Sequence, residues 1–167
     1  MDRPDALPNL HRILLDGDPK TKREVAWALS NIAAGNSKQI QAIFDAGIVP
    51  SLMNILSNET FRTRTEVCWV IANLIAGGNE QHISEIVKLG VLLAFSDMLT
   101  VMDSGLVLVI LKALECILMA GESSKAKVKS KAPLQELLAA HYKGEGKILK
   151  ARVMLLVKSS ERRTFIY

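Results

Sequence analysis

The sequence predicts an all-α fold made of stacked helical repeats. Three observations carry this expectation. First, the same residues recur at one spacing: Trp27 to Trp69, Pro8 to Pro50, Asn31 to Asn73 and Gly35 to Gly77 are each 42 residues apart, and Gly47 to Gly90 is 43. Second, no stretch shows the alternating pattern of a strand, while apolar residues recur at helical spacing in runs that close on glycine. Third, hydrophobic residues make up 49% of the 167-residue chain but aromatics only 5%. A core of Leu, Ile, Val and Ala suits helices stacked on helices, and the length is enough for one domain with a substantial core.

A period near 42 falls in the range of armadillo and HEAT units, each of which buries its apolar faces only against its neighbours. The second unit is the clearest. "SKQIQAIFDAG" (37–47) reads as a short amphipathic helix ending at a glycine suited to a left-handed cap. "IVPSLMNILS" (48–57) carries a proline allowed in a first helical turn. "FRTRTEVCWVIANLIAGG" (61–78) is the long third helix. The first unit lacks its first helix and begins at "ALPNLHRILL" (6–15). It continues with "DPKTKREVAWALSNIAAG" (18–35), where Asp18 is the expected N-cap ahead of Pro19. The third unit reads "EQHISEIVKLG", "VLLAFSDMLT" and "SGLVLVILKALECILMAG" (104–121). A divergent fourth, "APLQELLAAHY" (132–142) and "GKILKARVMLLVKSS" (146–160), follows a basic run, "SSKAKVKSK" (123–131). The expected organisation is therefore repeats over 1–122, a basic linker over 123–131, terminal helices over 132–160 and a tail over 161–167.

The repeated sentence is "EVAWALSNIAAGN" (24–36) and "EVCWVIANLIAGGN" (66–79). Trp and Asn at i and i+4 share one helix face. Asn is a poor choice for a buried stripe unless something hydrogen-bonds to it. Third helices stacked about 8–10 Å apart span roughly three residues of an extended peptide rising about 3.3 Å each. Asn31 and Asn73 are then placed to hold peptide amides. Trp27 and Trp69 form the walls of a slot for an aliphatic stem bearing a cation. Glu24 and Glu66, one turn earlier, supply negative charge. The competing account is that both indoles are core and both asparagines satisfy local backbone.

Charge is unevenly spread. Residues 1–122 hold 10 Lys and Arg against 14 Asp and Glu, a net of −4, and residues 123–167 hold 11 against 3, a net of +8. Nucleic-acid binding by the basic end lacks interleaved aromatics beyond Tyr142, Phe165 and Tyr167. The N-terminus reads as neither a signal nor a transit peptide. No apolar run is expected to reach the roughly 18 residues of a membrane span, so no membrane partner is expected. Cys68 and Cys116 lie in apolar stretches, read as reduced buried thiols, and lack metal-ligand spacing. His11, His82 and His141 fall in different units, and "AGGN" (76–79) is a helix stop with no strand before it. No catalytic residue, metal or cofactor is predicted, and the chain is not expected to be an enzyme. Met53, Met98, Met119 and Met154 read as packing residues.

From about Leu7 to Glu122 the text resembles the C-terminal armadillo repeats of the importin-α (karyopherin-α) family. The stretches that carry the likeness are "KREVAWALSNIAAGN", "QIQAIFDAGIVPSLMNIL" and "NLIAGGNEQHISEIVKLG". The double glycine after the second Asn resembles the eighth repeat. Lys112 and Cys116, where Trp and Asn would stand, resemble the ninth. The Trp-Asn pairs then correspond to the seventh and eighth, and residues 123–167 to a divergent tenth. The resemblance implies a right-handed armadillo superhelix of about three and a half repeats. It also implies a nuclear-import adaptor role, in cytoplasm and nucleus, for cargo proteins carrying Lys/Arg-rich nuclear localisation signals. By position, Arg23, Glu24, Trp27, Ser30, Asn31, Glu66, Trp69 and Asn73 line a minor-site groove. Arg23 stands where the family usually has Lys. The family's importin-β-binding segment and major site correspond to sequence not seen here, so importin-β binding is not expected. The loose match over 123–167 leaves export-receptor binding in question.

The alternative is an armadillo scaffold for a different extended peptide or a helical partner. Two further expectations concern association. The open first unit is expected to self-associate. In "KAKVKSK", Lys125, Lys127, Lys129 and Lys131 would point one way if extended and so fit a neighbour's groove, against the simpler account of a solvated linker.

Overall fold

The computed structural model describes residues 6–99 and 103–127, with side chains described as far as Gly121. Among the described residues every regular element is a helix. The elements are α1 (Ala6–Asp16), α2 (Pro19–Ala33), α3 (Ser37–Asp45), α4 (Ile48–Asn58), α5 (Phe61–Gly77), α6 (Glu80–Lys88), α7 (Val91–Met98) and α8 (Ser104–Lys127). The chain divides into two compact units, residues 1–113 and 114–167. The architecture described here is that of the first. The expected terminal helices over 132–160, and with them Met154, lie outside the described residues.

Each boundary has a local cause. Asp18 caps α2 as expected, accepting from the backbone N–H of Lys20 at 2.8 Å and of Thr21 at 3.1 Å, with Pro19 in the first turn. The Thr21 hydroxyl donates to its other carboxylate oxygen at 2.7 Å, and this bond leads the causes that hold the Asp18 carboxyl below its ordinary value. Gly47 (φ 66°) and Gly90 (φ 90°) adopt the left-handed conformation that lets a short first helix turn into the second. Across Gly47 the turn is 80°.

From α1 to α7 consecutive helices pack on one another, and the second and third helices of successive units pack side by side where α1 meets α4, α4 meets α7 and α2 meets α5. The strongest association is α2 on α5, the two long third helices, while α1, α4 and α7 form a parallel row of second helices. The core between them is aliphatic: Leu29 and Ala33 of α2, Leu52 and Leu56 of α4, Val67, Val70, Ile71 and Leu74 of α5, Ile86 of α6 and Phe95 of α7 are buried. At about 25 cal/mol per Å² of apolar surface removed from water, this burial is the main stabilising term.

Polar ties cross between units beside this core. Lys22 of α2 pairs with Glu59 at 2.6 Å. Arg64 of α5 donates to the Leu56 carbonyl at 2.7 Å and pairs with Asp97 of α7. Lys22 and Arg64 are 42 residues apart, so these are the same device used twice. His82 of α6 is buried, stacks on Phe44 of α3 with ring centroids 4.2 Å apart, and bonds Gln41 through Nε2 at 2.9 Å. His11 of α1 bonds Ser51 of α4 at 2.8 Å.

Three expectations need correction. Met53 and Met98 are buried, but Met119 is 64% exposed, because its position falls on the outer side of α8. Cys116 is only partly buried. One stretch does reach the length and apolarity of a membrane span: Ser104–Gly121 of α8, 18 residues with a mean hydropathy of 2.0. Its charged pair, Lys112 and Glu115, interrupts the run without lowering its average enough. The residues Leu106, Ile110 and Ala113 are buried within the first unit at helical spacing, the pattern of a core helix, which passes the same length and composition test. The helix also continues to Lys127, so Lys125 and Lys127 have helical backbone. The alternate-residue register of an extended "KAKVKSK" therefore does not apply to them; Lys129 and Lys131 lie outside the described residues.

Two measurements follow. The Lys22 partner holds the Glu59 carboxyl below its ordinary value of 4.5. A depressed folded-state value means the stabilisation is complete above the unfolded pKa and is lost as pH falls through the folded one. Urea unfolding should show stability falling as pH drops below about 4.5. Glu59→Gln should cost about 1 kcal/mol at neutral pH and flatten that acid limb. Burial pushes the Cys68 thiol up to about 12, so native Cys68 should resist thiol reagents at pH 8 while Cys116 reacts.

Candidate functional site: a Trp-Asn surface on α2 and α5

The close packing of α2 on α5 puts the two copies of the repeated sentence on neighbouring helices. Val25, Ala26 and Leu29 of α2, and Val67, Cys68, Val70, Ile71 and Leu74 of α5, face the core. That leaves the positions between them to solvent. Trp27 is 60% exposed and Trp69 half-buried. The account in which both indoles are core therefore fails for Trp27. An indole left mostly in water forgoes about 25 cal/mol for each Å² of apolar surface it would otherwise bury, so its place is not set by folding.

Glu24 is exposed and Glu66 half-buried. Glu24 also lines a cleft of about 520 Å³ along α1 and α2, with a floor that includes Leu10, Ile13 and Val25 and with Asp18 also on its wall. Arg23 is half-buried, and its Nη1 donates to the Pro19 carbonyl at 3.3 Å, one turn back along its own helix.

Ser30, Asn31 and Asn73 have well-defined roles in the unliganded surface. The Ser30 hydroxyl donates to the Trp27 carbonyl at 2.7 Å, and Asn31 Nδ2 donates to the same carbonyl at 3.1 Å. Asn31 thus satisfies local backbone, as the competing account of the asparagines required. Asn73 does not: its Nδ2 crosses to α2 and donates to the Ser30 carbonyl at 3.1 Å. That carbonyl already accepts from the Ala34 N–H at 3.0 Å. The structure thus brings Trp27, Ser30, Asn31 and Asn73 into one hydrogen-bonded strip. Trp69, one turn before Asn73, lies on the same helix; among the described residues no hydrogen bond joins Arg23, Glu24 or Glu66 to the strip.

Sequence reasoning missed the role of the last residue in each copy. Asn36 and Asn79 are N-caps of the next unit's first helix. Asn36 accepts from the Lys38 and Gln39 N–H groups, and Gln39 Oε1 accepts from the Asn36 N–H. Asn79 does the same with His82, whose Nδ1 accepts from the Asn79 N–H. The signal was an Asn three residues ahead of Gln39 and of His82, a capping-box spacing. Among the described residues, no group of three or more His, Cys, Asp or Glu could hold a metal ion.

Residues 36–76 match the repeat family described as Armadillo/beta-catenin-like repeat. A designed armadillo repeat protein solved in complex with the peptide (KR)4 aligns with a TM-score of 0.61 and 25% identity, over 79% of this chain and 61% of that one. An engineered protein aligns with a TM-score of 0.63 and 29% identity, over 88% of this chain and 60% of the other. The fold is an armadillo-repeat solenoid. In sequence the chain is similar to importin subunit alpha-4 of Arabidopsis thaliana, 45% identical over 104 residues, which is 62% of this chain and 19% of that protein. It is also similar to importin subunit alpha-1 of Caenorhabditis elegans, 34% identical over 100 residues, 60% of this chain and 19% of that one. The chain thus spans about a fifth of the length of these relatives.

The two asparagines should separate in stability measurements. Asn73→Ala removes a part-buried bond between units and should cost about 1 kcal/mol. Asn31→Ala removes an exposed bond within one helix and should cost less than about 0.5 kcal/mol. Denaturant midpoints of the two variants check the ordering.

Proposed function

We propose that the chain is the peptide-binding part of a nuclear-import adaptor, gripping a Lys/Arg-rich segment in extended form along α2 and α5. The observation that carries this reading is the exposure of Trp27 on a strip that also holds Ser30, Asn31 and Asn73. A ring face in water is a place for an aliphatic stem and its cation. Glu24 and Glu66 add negative charge one turn away. Asn31 and Asn73 meet the ligand backbone, and Ser30 and Arg23 border the same surface.

The likeness to importin-α proteins supports the adaptor role and, with it, work in cytoplasm and nucleus. The (KR)4 complex of the designed armadillo protein supports the ligand class. No chemistry is required of the site. Binding rests on aromatic contact, charge and backbone hydrogen bonds, which is the work of a scaffold rather than of an enzyme.

Fluorescence anisotropy with a labelled (KR)4 peptide tests the reading. Binding should weaken as salt rises and exceed that of a neutral peptide of equal length. Trp69→Ala should cost about 2 kcal/mol, roughly thirtyfold in affinity. Trp27→Ala should weaken binding with little effect on stability, since its ring is mostly exposed. Undiminished binding by the double Trp variant would refute the groove assignment.

A further inference from the structure

One face of α1 and α2 is apolar and reached by solvent. Leu10, Ile13, Thr21 and Ala28 line the cleft of about 520 Å³ along these helices, and all four are half-buried. The residues 42 positions on, Leu52, Ile55, Thr63 and Val70, hold the same places in the next unit and are buried. What covers them is plain: α1 packs on α4, and α2 packs on α5. The α1–α2 face thus has the pattern of a surface that, one unit later, lies beneath two helices. An exposed apolar patch with a polar rim marks an interaction surface.

The rim shows what kind of partner fits. Lys20 and Glu24 are one turn apart on the same side of α2, both line the cleft, and both are exposed. Among the described residues neither side chain is in an ion pair, whereas Lys22 beside them pairs with Glu59. The third charged group of the rim, Asp18, is already engaged: its carboxylate accepts from the Lys20 and Thr21 N–H groups and from the Thr21 hydroxyl. A partner of a single charge sign would leave Lys20 or Glu24 facing a like charge. The same surface turned through half a revolution meets both. Lys20 of each copy then faces Glu24 of the other, which is the self-complementarity of an isologous contact.

We propose that the α1–α2 face is a homodimer interface, in which two copies pack about a two-fold axis between Lys20 and Glu24. The floor of each cleft covers the other, and two Lys20–Glu24 ion pairs close the rim. The floors supply the attraction, because the dimer removes from water apolar surface that a lone copy leaves wet. The charges set register and orientation more than strength. A two-fold contact uses up the face on both copies, so assembly stops at two. A head-to-tail contact would leave a free face at each end and continue. The proposal stands apart from the peptide-binding reading, although Glu24 borders both surfaces.

Sedimentation velocity over a concentration series tests it. Wild type should pass from monomer to dimer as concentration rises and go no further. Lys20→Glu and Glu24→Lys each set like charges against one another at both contacts, and each should weaken dimerisation about a hundredfold. Mixed one to one, the two variants should dimerise again, because every rim contact in a mixed pair joins opposite charges. Rescue on mixing is a readout that a folding defect in either variant does not give, and circular dichroism checks that both remain helical. Wild type that stays monomeric up to its solubility limit would overturn the proposal, as would assemblies larger than two. Variants that dimerise as wild type does, or a mixture that associates no better than its components, would place the contact on another surface and overturn it as well.

Discussion

The packing of α2 along α5 is the constraint on which the rest of this structure depends. Two helices that bury one face against each other present their remaining faces side by side, and whatever repeats in sequence then repeats in space. The 42-residue period is the expression of this contact: a change in unit length would rotate one helix's Trp-Asn face away from the other's. About 100° of rotation accompanies each residue inserted in a helix, so the joints between helices must hold length and angle together. The left-handed glycines at 47 and 90, the caps at Asp18, Asn36 and Asn79, and the ties from Lys22 and Arg64 all act on that geometry.

A solenoid of this kind divides each third helix into a buried face and an accessible one. In α5, Val67, Cys68, Val70, Ile71, Leu74 and Ile75 turn inward and are buried. Trp69 and Asn73, interleaved with them, stay accessible in part. The inward set is generic, since any well-packed aliphatic group would serve. The outward set is not, because nothing in the core asks for an indole in water or an amide one turn beyond it. Gly77 shows how tightly the helices are fitted: a Cβ there would lie 2.7 Å from Ile40 Cδ1, so the end of α5 runs against the first helix of its own unit.

The sequence made the helices legible because each carries its own punctuation. Glycine stops, Pro19 and Pro50 in first turns, and Asp18 as a cap are local signals, and the structure places helix ends within a residue or two of them. The Trp-Asn pair drew attention for another reason: it is written twice at one spacing, on what the structure shows to be neighbouring helices. What stayed hidden depends on three-dimensional proximity. Glu59 as the partner of Lys22, Gln41 as the partner of His82, and the Asn73 bond to Ser30 join residues 37, 41 and 43 positions apart. The side that a given residue takes on α8 was also hidden. An almost wholly apolar helix has a weak amphipathic pattern, so Met119 read as core and is exposed.

The hidden bond changes how the visible motif is to be understood. A repeated motif invites the assumption that each copy does the same thing. In a stack, however, each third helix has a neighbour before it and a neighbour after it, and a side chain at the seam can spend its hydrogen bonds on either. Asn73 reaches to the helix before it, while Asn31 turns onto its own. The repeat therefore fixes the position of an asparagine without fixing the direction of its amide. That direction is set by which carbonyl lies within about 3 Å, a fact about packing that one copy of the motif cannot contain. Equal residues at equal register can thus differ in which polar atom they leave over, and a repeat protein can build an ordered strip from unequal copies of one sentence.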